Sequence, residues 1–136
     1  MALLLDTCAA LWLVEDQPVR RDVARVVDEA GAYGAPVFVS PVTAWEIGTL
    51  VSRGRLSLPT DPSSWFDYLL RAPGLRLAKI TPKILVASSN LPGRPPKDPA
   101  DRIFAATARE FGGPLVTLDR LLLEYAAEGH IQALAC

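Results

Sequence analysis

Short unbroken apolar runs alternate along this chain with longer stretches in which apolar positions recur every three or four residues. Ala2–Leu5, Val37–Val39 and Pro114–Thr117 are runs of the first kind, too short for helices and suited to strands buried on both faces. Leu75–Ile80 alternates apolar with polar, as a strand near a sheet edge does, and Ile131–Ala135 reads as a last strand. Helical spacing predicts helices over Cys8–Val14, Pro18–Ala30 (Val19, Val23, Val26 and Val27 on one stripe), Val42–Arg53, Thr81–Leu91, Ile103–Phe111 and Arg120–Ala127. A further helix holds Trp65–Leu70, with Ser63 or Ser64 as its cap. Gly31 with Gly34, Gly54, Pro73-Gly74 and Gly112-Gly113 punctuate these segments, and Pro92–Pro96 is too rich in proline for either element. Strand and helix thus alternate without an internal repeat, which predicts one domain over residues 1–136. Its expected architecture is a three-layer α/β/α sandwich around a central, mostly parallel sheet.

Composition narrows the class. Half of the 136 residues are hydrophobic and mean hydropathy is +0.22, yet no apolar run approaches the roughly 18 residues of a membrane span. The opening lacks the basic flank and cleavage pattern of a secretory signal, so a soluble, cytoplasmic protein is expected. A surplus of apolar residues also suits a face covered in an oligomer. Cys8 and Cys136 stand at opposite ends without CxxC spacing, giving neither a disulfide framework nor a zinc knuckle, and read as packing residues. A net charge of −1 argues against gripping nucleic acid by bulk electrostatics but allows phosphates to be met through metal ions.

Candidate chemistry lies in carboxylates. Asp6 and Asp119 fall at or just past strand ends, Glu46 in the helix after the second strand, and Asp101 at the head of the helix before the fourth. In a right-handed parallel sheet these places converge on one edge. Carboxylates that close repel one another, and hard divalent cations with oxygen ligands relieve the repulsion. Taken singly, each has a local alternative. Asp98, Asp101 and Asp119 suit helix caps, and Glu46 suits a solvated helix face. Asp6 is different, because a carboxylate ending a buried strand is costly to desolvate unless something pairs with it.

Four segments, LLLDT, SPVTAWEIG, KDPADRIFAATA and PLVTLD, resemble the motifs of the PIN domain, in the family's order and across nearly the whole chain. The likeness is greatest to the VapC-like ribonuclease toxins of type II (VapBC) toxin–antitoxin systems. It implies an endoribonuclease dependent on Mg²⁺ or Mn²⁺, with Asp6, Glu46, Asp101 and Asp119 as metal-binding catalytic residues and Asp98 as an added ligand or supporting group. It further implies that Thr7 and Thr117 orient carboxylates or a water. The partners implied are RNA, a cognate VapB-like antitoxin and a second copy of the chain. Relatives with the DPxDR motif often carry a histidine before it, where this chain has Pro96-Lys97. Lys97, Arg102 and Arg120 are candidates for the RNA path, as are Arg53, Arg55 and Arg94.

Other classes find less support. His130, the one histidine, has no GxSxG elbow beside it, and neither GxGxxG nor GxxxxGK[ST] is present to hold a nucleotide cofactor. A phosphatase with an aspartyl acceptor would want a DxD pair, whereas Thr7-Cys8 follows Asp6. The remaining alternative is a catalytically inactive PIN-like module that binds RNA or protein. Trp12, Trp45 and Trp65 sit at helical spacings suited to core or interface anchors.

Overall fold

The computed structural model describes residues 2–14 and 18–135, without the side chains of residues 18–21, so the expectations for Val19 and Cys136 lie outside it. Five strands, β1 (Leu3–Leu5), β2 (Val37–Val39), β3 (Leu75–Leu77), β4 (Leu115–Thr117) and β5 (Ala133–Ala135), form one sheet in the order β3-β2-β1-β4-β5. Every pairing is parallel, with Leu4 opposite both Phe38 and Leu115. Seven helices accompany them among the described residues: α1 (Thr7–Val14), α2 (Pro18–Ala32), α3 (Pro41–Ser52), α4 (Pro62–Leu70), α5 (Pro82–Ser88), α6 (Pro99–Phe111) and α7 (Arg120–Ala127).

Alternation along β1 builds the layers. Leu3 and Leu5 pack with Ala9, Val23, Ile47 and Leu69, so α1 to α4 cover one face. Leu4 points the other way, into Phe104, Leu122 and Tyr125 of α6 and α7. Leu4 and Leu5 are both fully buried, each contributing about 1.5–3 kcal/mol by leaving water. The expected three-layer α/β/α architecture is therefore the one observed, and a strand buried on both sides explains why its sequence shows no alternation.

Several boundaries differ from the sequence reading. Gly31 does not stop α2, which continues to Ala32 and turns at Gly34. The cap of α4 is Asp61, not Ser63 or Ser64: its carboxylate accepts from the Ser64 N–H at 3.0 Å and the Ser64 hydroxyl at 2.7 Å, and Pro62 occupies the first helical position. Helix α6 begins at Pro99, four residues before Ile103, because Asp98 caps it, and it closes on Gly112 in the left-handed conformation at φ 68°. β3 ends at Leu77 and α5 at Ser88, short of Ile80 and Leu91, and β5 starts only at Ala133. No helix among the described residues is long and apolar enough to cross a membrane.

Candidate active site

Connections from β1 run outward to β2 and β3, while β4 and β5 lie on its other side. The carboxyl ends of β1 and β4 therefore flank the point where the winding reverses, the place where open α/β sheets form a crevice. Asp6 leaves β1 there and Asp119 follows β4 two residues after Thr117. Helices α1, α3, α6 and α7 begin along the same edge, so their N-terminal dipoles favour negative charge in the crevice.

Asp6 is only 4% exposed. Its Oδ1 accepts from the Ala9 N–H at 2.8 Å, and its Oδ2 accepts the Thr117 hydroxyl at 2.5 Å. The same Thr117 oxygen accepts the Asp119 N–H at 2.9 Å. Thr117 thus ties the Asp6 carboxylate and the Asp119 backbone to one hydroxyl. Asp119 spends Oδ2 on capping α7 through the Leu122 N–H at 2.9 Å, and Asp98 spends Oδ2 on the Asp101 N–H at 3.0 Å. Both local capping roles are real, and each uses one oxygen of its carboxylate.

On the other side, the Thr7 hydroxyl donates to Glu46 Oε1 at 2.5 Å and lies 3.2 Å from Thr43 Oγ1. A hydroxyl has one proton, so with Thr7 donating to Glu46 it is Thr43 that donates to Thr7. Thr43 is fully buried one turn before Glu46, and Ser40 caps α3 by accepting the Val42 N–H at 3.0 Å. Sequence reasoning missed Thr43; its signal was a threonine three residues ahead of Glu46 on the same helix face.

Charge reports the convergence. Burial pushes the Asp6 carboxyl above its ordinary range, partly offset by Thr117 and Ala9, and Asp119 raises it further. Glu46 is raised by burial and by Asp98 and Asp6, against the Thr7 bond. Asp101 is pushed up to about 7, first by burial and then by Asp98, Asp119, Glu46 and Asp6. The Cys8 thiol is exposed but raised to about 11 by desolvation and by Asp6, Glu46, Asp101 and Asp119 together. Cys8 is therefore not the packing residue expected from sequence; it is exposed on α1, within electrostatic reach of the four carboxylates.

Three basic candidates differ in what they can offer. Lys97 is exposed. Arg120 pairs with Glu124 at 3.1 Å along α7. Arg102 donates to the carbonyls of Ser88 at 2.8 Å and Pro96 at 3.2 Å, holding down the proline-rich loop rather than facing a ligand. His130 is half-buried, stacked on Tyr125 with ring centroids 4.8 Å apart, in keeping with a structural role.

Oxygen donors of this kind suit Mg²⁺ or Mn²⁺ in chemistry. Among the described residues, however, no group of three or more His, Cys, Asp or Glu is gathered closely enough to hold an ion as it stands. Mg²⁺ is commonly held by one or two carboxylates and several waters, so the donor set fits an ion that keeps much of its hydration.

A family model described as the PIN domain matches residues 3–128. Ribonuclease VapC22 of Mycobacterium tuberculosis (strain ATCC 25618 / H37Rv) is 34% identical over 119 residues, 88% of this chain and 88% of that protein. The crystal structure of VapBC2 from Rickettsia felis, bound to a DNA fragment from their promoter, aligns at TM-score 0.70 and 14% identity over 99% of this chain and 98% of that one. VapBC-1 from nontypeable Haemophilus influenzae aligns at TM-score 0.63 and 16% identity, covering 99% and 98%. At such identities the two structures speak to the fold.

Proposed function

The chain belongs to the PIN domain family, and from that premise we propose that it is a metal-dependent endoribonuclease, the toxin of a toxin–antitoxin pair, hydrolysing phosphodiester bonds in RNA. In this reading residues 1–136 are one PIN domain. What supports it is Asp6 held by Thr117 and Glu46 held by Thr7 at the sheet's carboxyl edge, with Asp101 pushed up by burial and by Asp98, Asp119, Glu46 and Asp6. The 34% likeness to a ribonuclease over most of the chain adds the substrate class.

Each group has a task. Asp6, Glu46, Asp101 and Asp119 would hold Mg²⁺ or Mn²⁺, with Asp98 beside them. When bound, the ion supplies positive charge that offsets the carboxylates and lowers the pKa of a water for attack on phosphorus. Thr117 fixes the Asp6 carboxylate through Oδ2, and Thr7, backed by Thr43, fixes Glu46 through Oε1, so the acceptor oxygens are set before any ligand arrives. Asp101 is pushed up to about 7 by burial and by the neighbouring carboxylates, so a bound cation would favour its ionised form and displace its proton.

The reading places the protein in the cytoplasm, as a homodimer silenced by a cognate VapB-like antitoxin. Leu85 and Val86, left 46% and 69% exposed on α5, offer apolar surface to a second copy. A second reading, an inactive module that docks RNA or protein, draws on the absence of three closely gathered ligands among the described residues. Cleavage of RNA by purified protein, with and without chelator and against Asp6→Asn and Asp101→Asn, separates the two. Cutting that survives chelation and both substitutions overturns the nuclease, and the absence of both Mn²⁺ binding and cutting favours the module.

A further inference from the structure

One residue before Glu46, Trp45 holds its indole 59% exposed. Beside it lies a cavity of about 250 Å³ between α3 and the head of α6, lined by Trp45, Glu46, Thr49, Arg53, Asp98 and Pro99, with Leu50 and Ala100 behind. Drug-sized molecules occupy pockets of about 300–1,000 Å³, so this one suits a single planar ring system. Its chemistry is mixed: an aromatic face, a guanidinium and two carboxylates. Carboxylates there disfavour a phosphate. They do not disfavour a neutral base, whose π-face can stack on indole while its amino and imino protons meet acceptors and its ring acceptors meet Arg53.

We propose that Trp45 and the cavity beside it form a subsite for one unpaired nucleobase flanking the scissile phosphate. The inference rests on the nuclease reading for its place in the reaction. Because Trp45 and Glu46 are adjacent on α3, stacking a base on the indole sets how far the neighbouring phosphate lies from the carboxylates. Base stacking tolerates every base, so it makes this a subsite for single strands first and for a preferred base second, through Arg53 and Asp98. Base-paired RNA, whose bases are already stacked, is disfavoured.

The test uses the full chain in Mg²⁺ with short single-stranded RNA oligonucleotides of A, C or U. Binding is followed by quenching of tryptophan fluorescence, and cutting is measured separately. Wild type should quench strongly on RNA addition, and Trp45→Phe should lose most of the quench, since Trp65 is buried and Trp12 half-buried. Trp45→Ala should raise KM about tenfold with kcat changed much less, Trp45→Phe should restore most of that loss, and an abasic nucleotide at the stacked position should cost wild type a similar factor and Trp45→Ala almost nothing. An unchanged KM in Trp45→Ala while Asp101→Asn abolishes cutting overturns the subsite and leaves the nuclease standing. Trp45-dependent quenching without any cutting does the reverse. Sedimentation of Trp45→Ala as a smaller species than wild type, with RNA affinity unchanged, makes this face a subunit contact and overturns the proposal.

Discussion

Thr117 donates its hydroxyl proton to Asp6 across 111 positions of sequence, at 2.5 Å, and so joins the ends of two neighbouring strands inside the crevice. Thr117→Val keeps the shape and removes both the donor to Asp6 and the acceptor of the Asp119 N–H. Loss of stability of about 1–3 kcal/mol in urea unfolding is expected, with RNA cleavage down at least tenfold. Thr117→Ser should recover most of both, and a fully active, fully stable valine variant contradicts the positioning role.

Stability of the metal-free protein should rise as pH falls. A carboxyl whose folded pKa exceeds its unfolded value binds its proton more tightly in the folded chain, so its contribution is complete below the unfolded pKa and is lost as pH climbs through the folded one. Asp101, raised from 3.8 to about 7, places that loss between about pH 4 and 8, and the raised Asp6 and Glu46 act in the same direction. In chelator, thermal midpoints should increase from pH 8 to pH 5, and Asp101→Asn should flatten the slope while stabilising the protein at pH 8. A slope unaffected by that substitution counts against the shared charge.

Divalent cations should act on the same groups. Saturating Mn²⁺ or Mg²⁺ is expected to raise the thermal midpoint at pH 8, by about 2.7 kcal/mol of stability at a hundred times Kd, and chelator should reverse it. Near pH 7 binding displaces a proton from Asp101, so calorimetric enthalpies should vary with the ionisation heat of the buffer. Asp101→Asn should remove that variation.

Cys8 offers a chemical readout. With its thiol raised to about 11, alkylation of the metal-free protein at pH 8 should run well below the rate of a free cysteine peptide, since the thiolate reacts. Asp101→Asn and Glu46→Gln should each speed it. Rates insensitive to both would mean that the charges do not reach the thiol.

Gly93 tests the loop that leads into Asp98. Its φ is +69°, and an added Cβ would lie against the His130 ring, whose neighbour Tyr125 donates to the Pro92 carbonyl at 2.5 Å. Gly93→Ala should cost about 1–3 kcal/mol in chemical unfolding. An alanine variant as stable as wild type would show that the loop is not held against His130.

Much of this was legible before any coordinates. Runs such as LLL and LVT announce strands buried on both faces, and four carboxylates at equivalent strand and helix ends announce a shared crevice. What stayed hidden depends on partners distant in sequence. Asp98 starts α6 early because a capping carboxylate and Pro99 overrule the lack of apolar spacing in Ala100–Arg102. Thr43 looks like any helical threonine until α1 brings Thr7 to it, and Cys8 looks like packing until the fold leaves it exposed on α1. Arg102 reads as a cation for RNA, and only the fold of the proline-rich loop shows its donors already in use.

β1 lies between β2 and β4, and it waits for β4 to complete its surroundings. A chain emerging from the ribosome exposes Asp6 early, yet the proton that Thr117 provides and the carboxylates of α6 and its cap arrive only with the last third of translation. Incomplete synthesis products therefore carry Asp6 and Glu46 without the groups that complete their surroundings.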